Sequence, residues 1–190
     1  MTSKGPWNTE IELLQAVLSG QKGAFKTLYD LHSVKVYNIA LSYLKNEEAA
    51  QDVTQDVFIK LHKSLGGFKV GSALSTWVYR ITVNTCLNYL NKQKRLVLVE
   101  WTSGGNETID FIHPGVVLEN KESSTALYSV LDTLPNSQKT AFILSFIEEL
   151  PRQEVADIME TSLKAVESLL QRAKGKMRKK LEILYPHRRK

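Results

Sequence analysis

The amino-acid sequence predicts an all-α protein with two small helical domains joined by an irregular linker. Apolar residues recur at helical spacing from residue 9 to residue 184, and strand signals are nearly absent. The interruption is residues 96–122, which contain Gly104-Gly105 and Pro114-Gly115 and no helical stripe. We therefore predict domains at 1–95 and 123–190 and a linker at 96–122 that starts with a short extended segment. A loop inside one domain is the alternative, although about 27 residues is long for one.

Four helices are predicted in the N-terminal domain from capping residues and helix breakers. Their expected spans are Thr9 to Ser19, Lys22 through Leu44 with a possible restart, Asn46 to Leu65, and Ser75 or Thr76 to the basic run Lys92–Arg95. Glu47 and Glu48 lie in the first turn of the third helix, where the helix dipole favours acids. In the second helix the residues expected to face inward include Phe25, Leu28, Tyr29 and Leu31.

The C-terminal domain is expected to contain four helices and to end in a helix-turn-helix. The predicted elements are a helix at 123–133, a turn at Leu134-Pro135, a helix from Pro135 or Asn136 through Leu150, and the helix pair at 154–173. In that pair Ala156 allows a close crossing, and Glu160-Thr161-Ser162 makes the turn. This spacing is typical of DNA-binding proteins, although many all-α proteins pack two helices this way without binding DNA.

The net positive charge of the chain favours an acidic binding partner such as nucleic acid. The formal net charge is +5, and from Arg172 to Lys190 nine Lys or Arg residues face one acid, Glu182. Cys86 is the only cysteine, and the four histidines have no metal-ligand spacing. The N-terminus lacks the apolar region of a signal peptide, and no apolar run is long enough to span a membrane. We expect a soluble cytoplasmic protein without a cofactor, a metal or a membrane insertion, and no catalytic group.

Two polar stripes differ from an ordinary solvated surface. The third helix carries Asp52, Gln55, Asp56 and Ile59 on one face, a mixture suited to docking on a basic protein, although a merely solvated face is the default reading. The fourth helix carries Arg80, Asn84, Asn88 and Asn91 on one face. Asparagine is a poor helix former, and its amide can pair with base edges. Trp77, before this stripe, could stack on unpaired bases, although core packing is the more ordinary role.

The residues from AFKTLYDLH through the NKQKR run resemble domain 2 of bacterial RNA polymerase sigma factors, and more narrowly the short extracytoplasmic-function group. The motifs that carry the resemblance are DVTQDVFIKLH, STWVYRITVNTCLNYL, and an LP pair followed about fifteen residues later by the helix-turn-helix. The C-terminal block resembles sigma domain 4. The similarity covers about 145 of the 190 residues in the family's order.

The resemblance implies partners and site residues. The clamp helices of core RNA polymerase would contact Asp52, Gln55, Asp56 and Ile59, and its flap would also be bound. Phe58, in the same motif, would pack in the hydrophobic interior of this protein. The residues that match the −10 element contacts are Phe68, Lys69, Ser72, Trp77, Arg80, Asn84 and Asn88; the loop Phe68–Leu74 and Asn84 match a pocket for a flipped base. Those that match the −35 contacts are Lys164, Glu167, Ser168, Gln171 and Arg172. An anti-sigma factor is implied as a regulator.

The chain departs from the family at four of these positions. Gly71 replaces a common acid and Leu74 a common aromatic residue, while Glu167 and Gln171 replace basic and bulky residues. The base preferences therefore cannot be copied from relatives. The leading hypothesis is a non-enzymatic transcription initiation factor. A stand-alone helix-turn-helix regulator with a sensing or dimerisation domain is the alternative, and an enzyme or adaptor with an incidental helix pair is a distant third.

Overall fold

A computed structural model describes residue 7 and residues 9–67, 73–100 and 121–185. Within these ranges all regular structure is helical, and the chain divides into two compact units, Met1–Lys92 and Gln93–Lys190. The helices are α1 Glu10–Leu18, α2 Ala24–Leu44, α3 Glu47–Ser64, α4 Leu74–Glu100, α5 Lys121–Asp132, α6 Asn136–Phe142, α7 Arg152–Ile158 and α8 Leu163–Leu184. A short 3₁₀ turn, Leu65–Gly67, follows α3, and a π-helical segment, Ile143–Ile147, continues α6. The all-α prediction is confirmed.

Capping side chains begin α1 and α3 as predicted. The Thr9 hydroxyl accepts a hydrogen bond from the amide of Glu12 at 3.1 Å, and the Glu12 carboxylate accepts one from the amide of Thr9, which completes a capping box. Asn46 caps α3 in the same manner, since its Oδ1 accepts from the amide of Ala49 at 2.8 Å. Gly20, with φ +69°, follows the end of α1.

Helix α2 differs from its prediction in two respects. It begins at Ala24 because Gly23 is left-handed with φ +86°, and it then runs without a restart to Leu44. Leu28 is fully buried as expected, but Tyr29 and Leu31 are 41% and 59% exposed. The prediction that Leu31 faces inward is therefore wrong, whereas the partly exposed Tyr29 ring still packs on the buried Phe58 ring of α3, with 4.6 Å between centroids.

Helix α4 starts earlier and ends later than predicted. Leu74 is its first residue, so Ser75 and Thr76 lie inside the helix and do not cap it. It continues through residues 96–100, where an extended segment was expected. Adding residues to a helix that has already formed requires no new nucleation, because each added residue gains a backbone hydrogen bond. This gain outweighs the β-propensity of the apolar residues at 96–100. The remainder of the predicted linker, through residue 120, lies outside the described residues.

The second unit contains the predicted helix-turn-helix. Val155, Ala156 and Val166 have no exposed surface where α7 and α8 meet. Glu160 has φ +52°, so the turn uses the left-handed conformation although the residue is not glycine. Ser162 caps α8, since its hydroxyl accepts from the amide of Ala165 at 3.2 Å.

The helix before this pair ends earlier than predicted. The α6 helix passes into the π segment and stops at Ile147, not at Leu150. Glu149 is left-handed, with φ +54°, and the amide of Leu150 returns to the carbonyl of Leu144 at 3.0 Å. Pro151 is then the N-cap of α7, where its missing N–H removes no hydrogen bond from the helix.

Candidate protein-docking and nucleic-acid surfaces

The outward side of α3 presents the mixed polar stripe. Asp52, Gln55, Asp56 and Ile59 are all exposed, and Ile59 leaves 51% of its surface in contact with solvent. We call these four residues the α3 face. Phe58, expected in the core, is 4% exposed and packs there. The helix thus separates a buried apolar side from an acidic side that carries an exposed isoleucine.

A cleft of about 380 Å³ adjoins the α3 face between α2 and α3. Its lining residues are Tyr29, Ser33, Val34, Tyr37, Gln51, Thr54 and Gln55. Val34 is 68% exposed at its edge. Burial, with a smaller contribution from the Glu47 carboxylate, raises the pKa of Tyr37, so this phenol stays protonated at neutral pH. Sequence reasoning missed the cleft because it placed Tyr29 in the core.

The outward stripe of α4 holds the predicted asparagines. Asn84, Asn88 and Asn91 are exposed, while Arg80 and Trp77 are half-buried. Leu74 is 2% exposed and packs in the core. The remaining residues predicted to contact the −10 element, Phe68, Lys69 and Ser72, lie outside the described residues, as does Gly71. The described part of this site is therefore an amide-rich helix face with a tryptophan and an arginine at one end.

Contacts from other helices fix α4. Oε1 of Glu10 in α1 accepts a hydrogen bond from the amide of Ser75 at 2.7 Å. The ammonium of Lys60 in α3 donates to Thr85 Oγ1 at 3.1 Å. Neither Glu10 nor Lys60 was expected to contact this helix, because partners 65 and 25 positions away give no local sequence signal.

A histidine from α2 also packs on α4. The His32 ring meets the Tyr79 ring edge-on, with 6.2 Å between centroids. Burial lowers the pKa of His32 below its ordinary value of 6.5, while the Glu10 carboxylate partly opposes that effect and Lys35 adds to it. The imidazole is therefore neutral at physiological pH.

The first half of α8 exposes all of the predicted −35 residues. Lys164, Glu167, Ser168, Gln171 and Arg172 are exposed. Arg172 donates to the Ser168 carbonyl at 3.2 Å and to its hydroxyl at 3.1 Å. Glu167 forms an ion pair with Arg152 of α7, with 3.5 Å between Oε1 and Nη1.

The second half of α8 extends the positive charge. Lys176, Arg178, Lys179 and Lys180 are exposed, and Arg178 pairs with Glu182 at 3.3 Å. Lys174 lies over the ring of Phe146, with its ammonium 4.4 Å from the centroid. The tail beyond residue 185 lies outside the described residues. A helix that exposes mixed polar groups first and cations afterwards suits a groove bordered by phosphates.

In the part of the chain that the structure describes, no group of three or more histidines, cysteines or acids is placed to hold a metal ion. Among the described helices, none is both long and apolar enough to cross a membrane.

Comparison with known proteins decides the family. Residues 28–96 match the family model "Sigma-70 region 2", and residues 124–177 match "Sigma-70, region 4". The RNA polymerase sigma factor SigV of Bacillus subtilis is 33% identical over 77% of this chain and 84% of its own length. The chain belongs to the sigma-70 family. The extracytoplasmic-function sigma-E factor of Haemophilus influenzae is 31% identical over 93% of this chain and 97% of its own length.

Solved structures share the fold of this sigma factor. The sigma factor RpoE of Bartonella quintana, crystallised with the anti-sigma factor NepR, superimposes with a TM-score of 0.67 at 22% identity, covering 85% of this chain and 98% of its own. CnrH, solved with the cytosolic domain of CnrY, gives 0.67 at 23% identity, covering 92% and 97%. The predicted fold and family are confirmed, as is the function of a promoter-directed transcription initiation factor.

Proposed function

We propose that this sigma factor binds core RNA polymerase through the α3 face, reads the −10 element with α4, and reads the −35 element with the first half of α8. The observation that carries the proposal is the exposure of three separate polar helix faces in the family's order along the chain. Each face lies opposite an apolar side that packs into its own unit. Each can therefore meet a partner without unfolding.

The polymerase assignment is supported by the composition of the α3 face. Two carboxylates, an amide and a half-exposed isoleucine form a small apolar spot surrounded by acid, which fits a basic helical surface. The adjoining cleft, where Val34 is exposed, would enlarge the apolar part of that contact. On a face that contacts only solvent, the exposed part of an isoleucine such as Ile59 would bury no apolar surface and would contribute nothing to stability.

The −10 assignment is supported by the chemistry of α4. Exposed asparagine amides can donate to and accept from the edges of unpaired bases, and Arg80 can meet a phosphate. Trp77, half-buried, retains some surface for stacking against a base. Separation of the strands would expose the base edges that these groups can bind.

The −35 assignment is supported by the position of α8 in the helix-turn-helix. The second helix of this motif enters the major groove with its first residues toward the bases. Glu167 can accept from cytosine N4, while Gln171 can pair with adenine. The solved complex of RpoE, which has a similar fold, contains the anti-sigma factor NepR, and we propose that a partner of that class regulates this chain. We expect it to act in the cytoplasm, with the polymerase.

Reconstituted transcription tests the proposal. Core polymerase without a sigma subunit, the purified chain and genomic fragments are combined, and transcript starts are mapped together with protection of the two promoter elements. We expect transcripts only when both proteins are present, and pull-down of core polymerase by the chain. A stand-alone regulator would instead bind duplex DNA without polymerase, and that result would overturn the proposal.

A further inference from the structure

The side chain of Glu10, in α1, accepts a hydrogen bond from a different helix, α4. The capping of α1 is already complete, because Thr9 and Glu12 form its capping box. Glu10 stands in the same turn but directs its carboxylate to α4, where Oε1 accepts from the amide of Ser75 at 2.7 Å. The bond joins residues 65 positions apart in the sequence.

The hydrogen bond provides an acceptor for an amide at the N-terminus of α4. Ser75 is the second residue of the helix, so its amide has no carbonyl partner within the helix. A carboxylate at a helix N-terminus also interacts favourably with the helix dipole, and a charge-assisted hydrogen bond is shorter and stronger than a neutral one. Glu10 therefore acts as a cap supplied from another helix, in place of the predicted caps Ser75 and Thr76.

This contact lies at the start of the helix that carries the −10 residues. Trp77, Arg80 and Asn84 follow Ser75 within three turns of uninterrupted helix. Further along, the Lys60 ammonium holds Thr85, the neighbour of Asn84, at 3.1 Å. The exposed segment is thus held at its first turn by α1 and at its fourth turn by α3, so a loss of the first contact would tilt or fray the end that carries Trp77.

We propose that Glu10 is a positioning residue for promoter opening, holding the first turn of α4 so that Trp77, Arg80 and Asn84 meet the separating strands in a fixed orientation. The inference rests on the proposed −10 role of α4. Glu10 itself need not touch DNA. Its loss should slow strand separation while leaving binding of polymerase and of the −35 element in place, because those surfaces belong to α3 and α8.

The test compares Glu10→Ala and Glu10→Gln with Glu12→Gln as the matched control. Glu12→Gln removes the same charge from the same turn, yet glutamine keeps the capping box of α1. Each variant is combined with core polymerase on a promoter that the parent transcribes, at a temperature well below its unfolding transition. Two quantities are measured separately: the affinity of the closed complex and the rate of its conversion to the open complex, followed by permanganate reactivity of unpaired thymines.

For Glu10→Ala we expect the opening rate to fall about twofold to tenfold, as the loss of one typical intramolecular hydrogen bond would produce. The closed-complex affinity should remain within about twofold of the parent, since no group that sets it has changed. A template already mismatched at −10 should restore the rate. Glu10→Gln, which keeps an acceptor oxygen, should fall between Glu10→Ala and the parent, and Glu12→Gln should match the parent.

Two results would overturn the inference alone: opening by Glu10→Ala at the parent's rate, or losses of polymerase binding and opening in equal proportion, which a general loss of structure would cause. If the parent chain itself opens no promoter with core polymerase, the proposed function fails, and the role of Glu10 fails with it. The parent reaction therefore separates the two failures.

Discussion

Arg152, the first residue of α7, forms an ion pair with Glu167 on the outward side of α8, with 3.5 Å between Nη1 and Oε1. Both side chains are about half exposed, at 55% and 51%, so the pair contributes little to stability. If α8 enters the major groove as we propose, the guanidinium would offset the repulsion between Glu167 and phosphate. The pair would then make a glutamate at this position compatible with DNA binding.

Replacement of Glu167 by alanine should change specificity more than affinity. If its carboxylate accepts from a cytosine amine, the variant should lose preference at one or two base pairs of the −35 element, worth about 1–3 kcal/mol. Binding of the polymerase complex to a panel of −35 variants measures this. Arg152→Ala should weaken the same preference in part. An equal loss of affinity for every sequence would show that Glu167 is not a base reader.

Replacement of Arg172 by alanine should have the opposite pattern. A phosphate contact contributes to binding on any sequence, so affinity should fall uniformly across the same panel. The slope of log affinity against log salt should become shallower by about one unit. The matched comparison is Glu167→Ala, which removes a charge five positions earlier on the same helix. An unchanged salt slope would place Arg172 away from the phosphates.

The α3 face should be separable from folding. Asp56→Arg reverses a charge on an exposed stripe, so the free energy of unfolding should change by no more than about 0.5 kcal/mol. Binding to core polymerase should weaken strongly, because repulsion replaces attraction. Asp30→Arg on α2, which loses only a surface pair with Lys26, serves as the control. If Asp56→Arg folds normally and binds polymerase normally, the face is misassigned.

Asn84 should matter only after the strands separate. Its amide would bind a base edge that is available once the duplex opens, and that binding must offset an unstacking cost of a few kcal/mol. Asn84→Ala should therefore leave closed-complex binding intact and reduce open-complex formation and transcript yield. A template mismatched at −10 should recover much of the loss. Equal activity of variant and parent on a full duplex would remove Asn84 from the site.

His32 should make the stability of the first unit depend on pH. Burial against Tyr79 lowers the pKa of His32 below 6.5, so the unfolded chain binds its proton more readily than the folded one. The stability that the neutral His32 contributes should be fully present above pH 6.5. The free energy of unfolding should then fall as the pH drops from 6.5 toward the lowered folded-state pKa. Urea midpoints across that window measure the effect. His32→Gln should flatten the dependence; the same slope in the variant would assign it to other groups.

Periodicity and capping chemistry determined much of this architecture directly. Thr9 and Asn46 lie where local hydrogen bonding to the first turn decides the helix start, and both cap as the sequence predicts. The helical repeat also fixes which residues share a side, and three polar stripes that it groups are exposed: the α3 face, the asparagines of α4 and the predicted −35 residues of α8. The family likewise followed from motifs in a fixed order, and the comparisons confirmed it.

Only the tertiary structure decided which apolar residues are covered and which distant groups meet. Leu31 and Val34 are exposed although their type suggests a core, because none of the described helices of their unit covers these two side chains. Glu10 reaches the amide of Ser75 through the packing of α1 against the rest of its unit, a contact that no local pattern encodes. Local sequence sets helix starts and faces because those depend on neighbours within four residues, whereas side-chain burial and long-range caps depend on how whole helices pack.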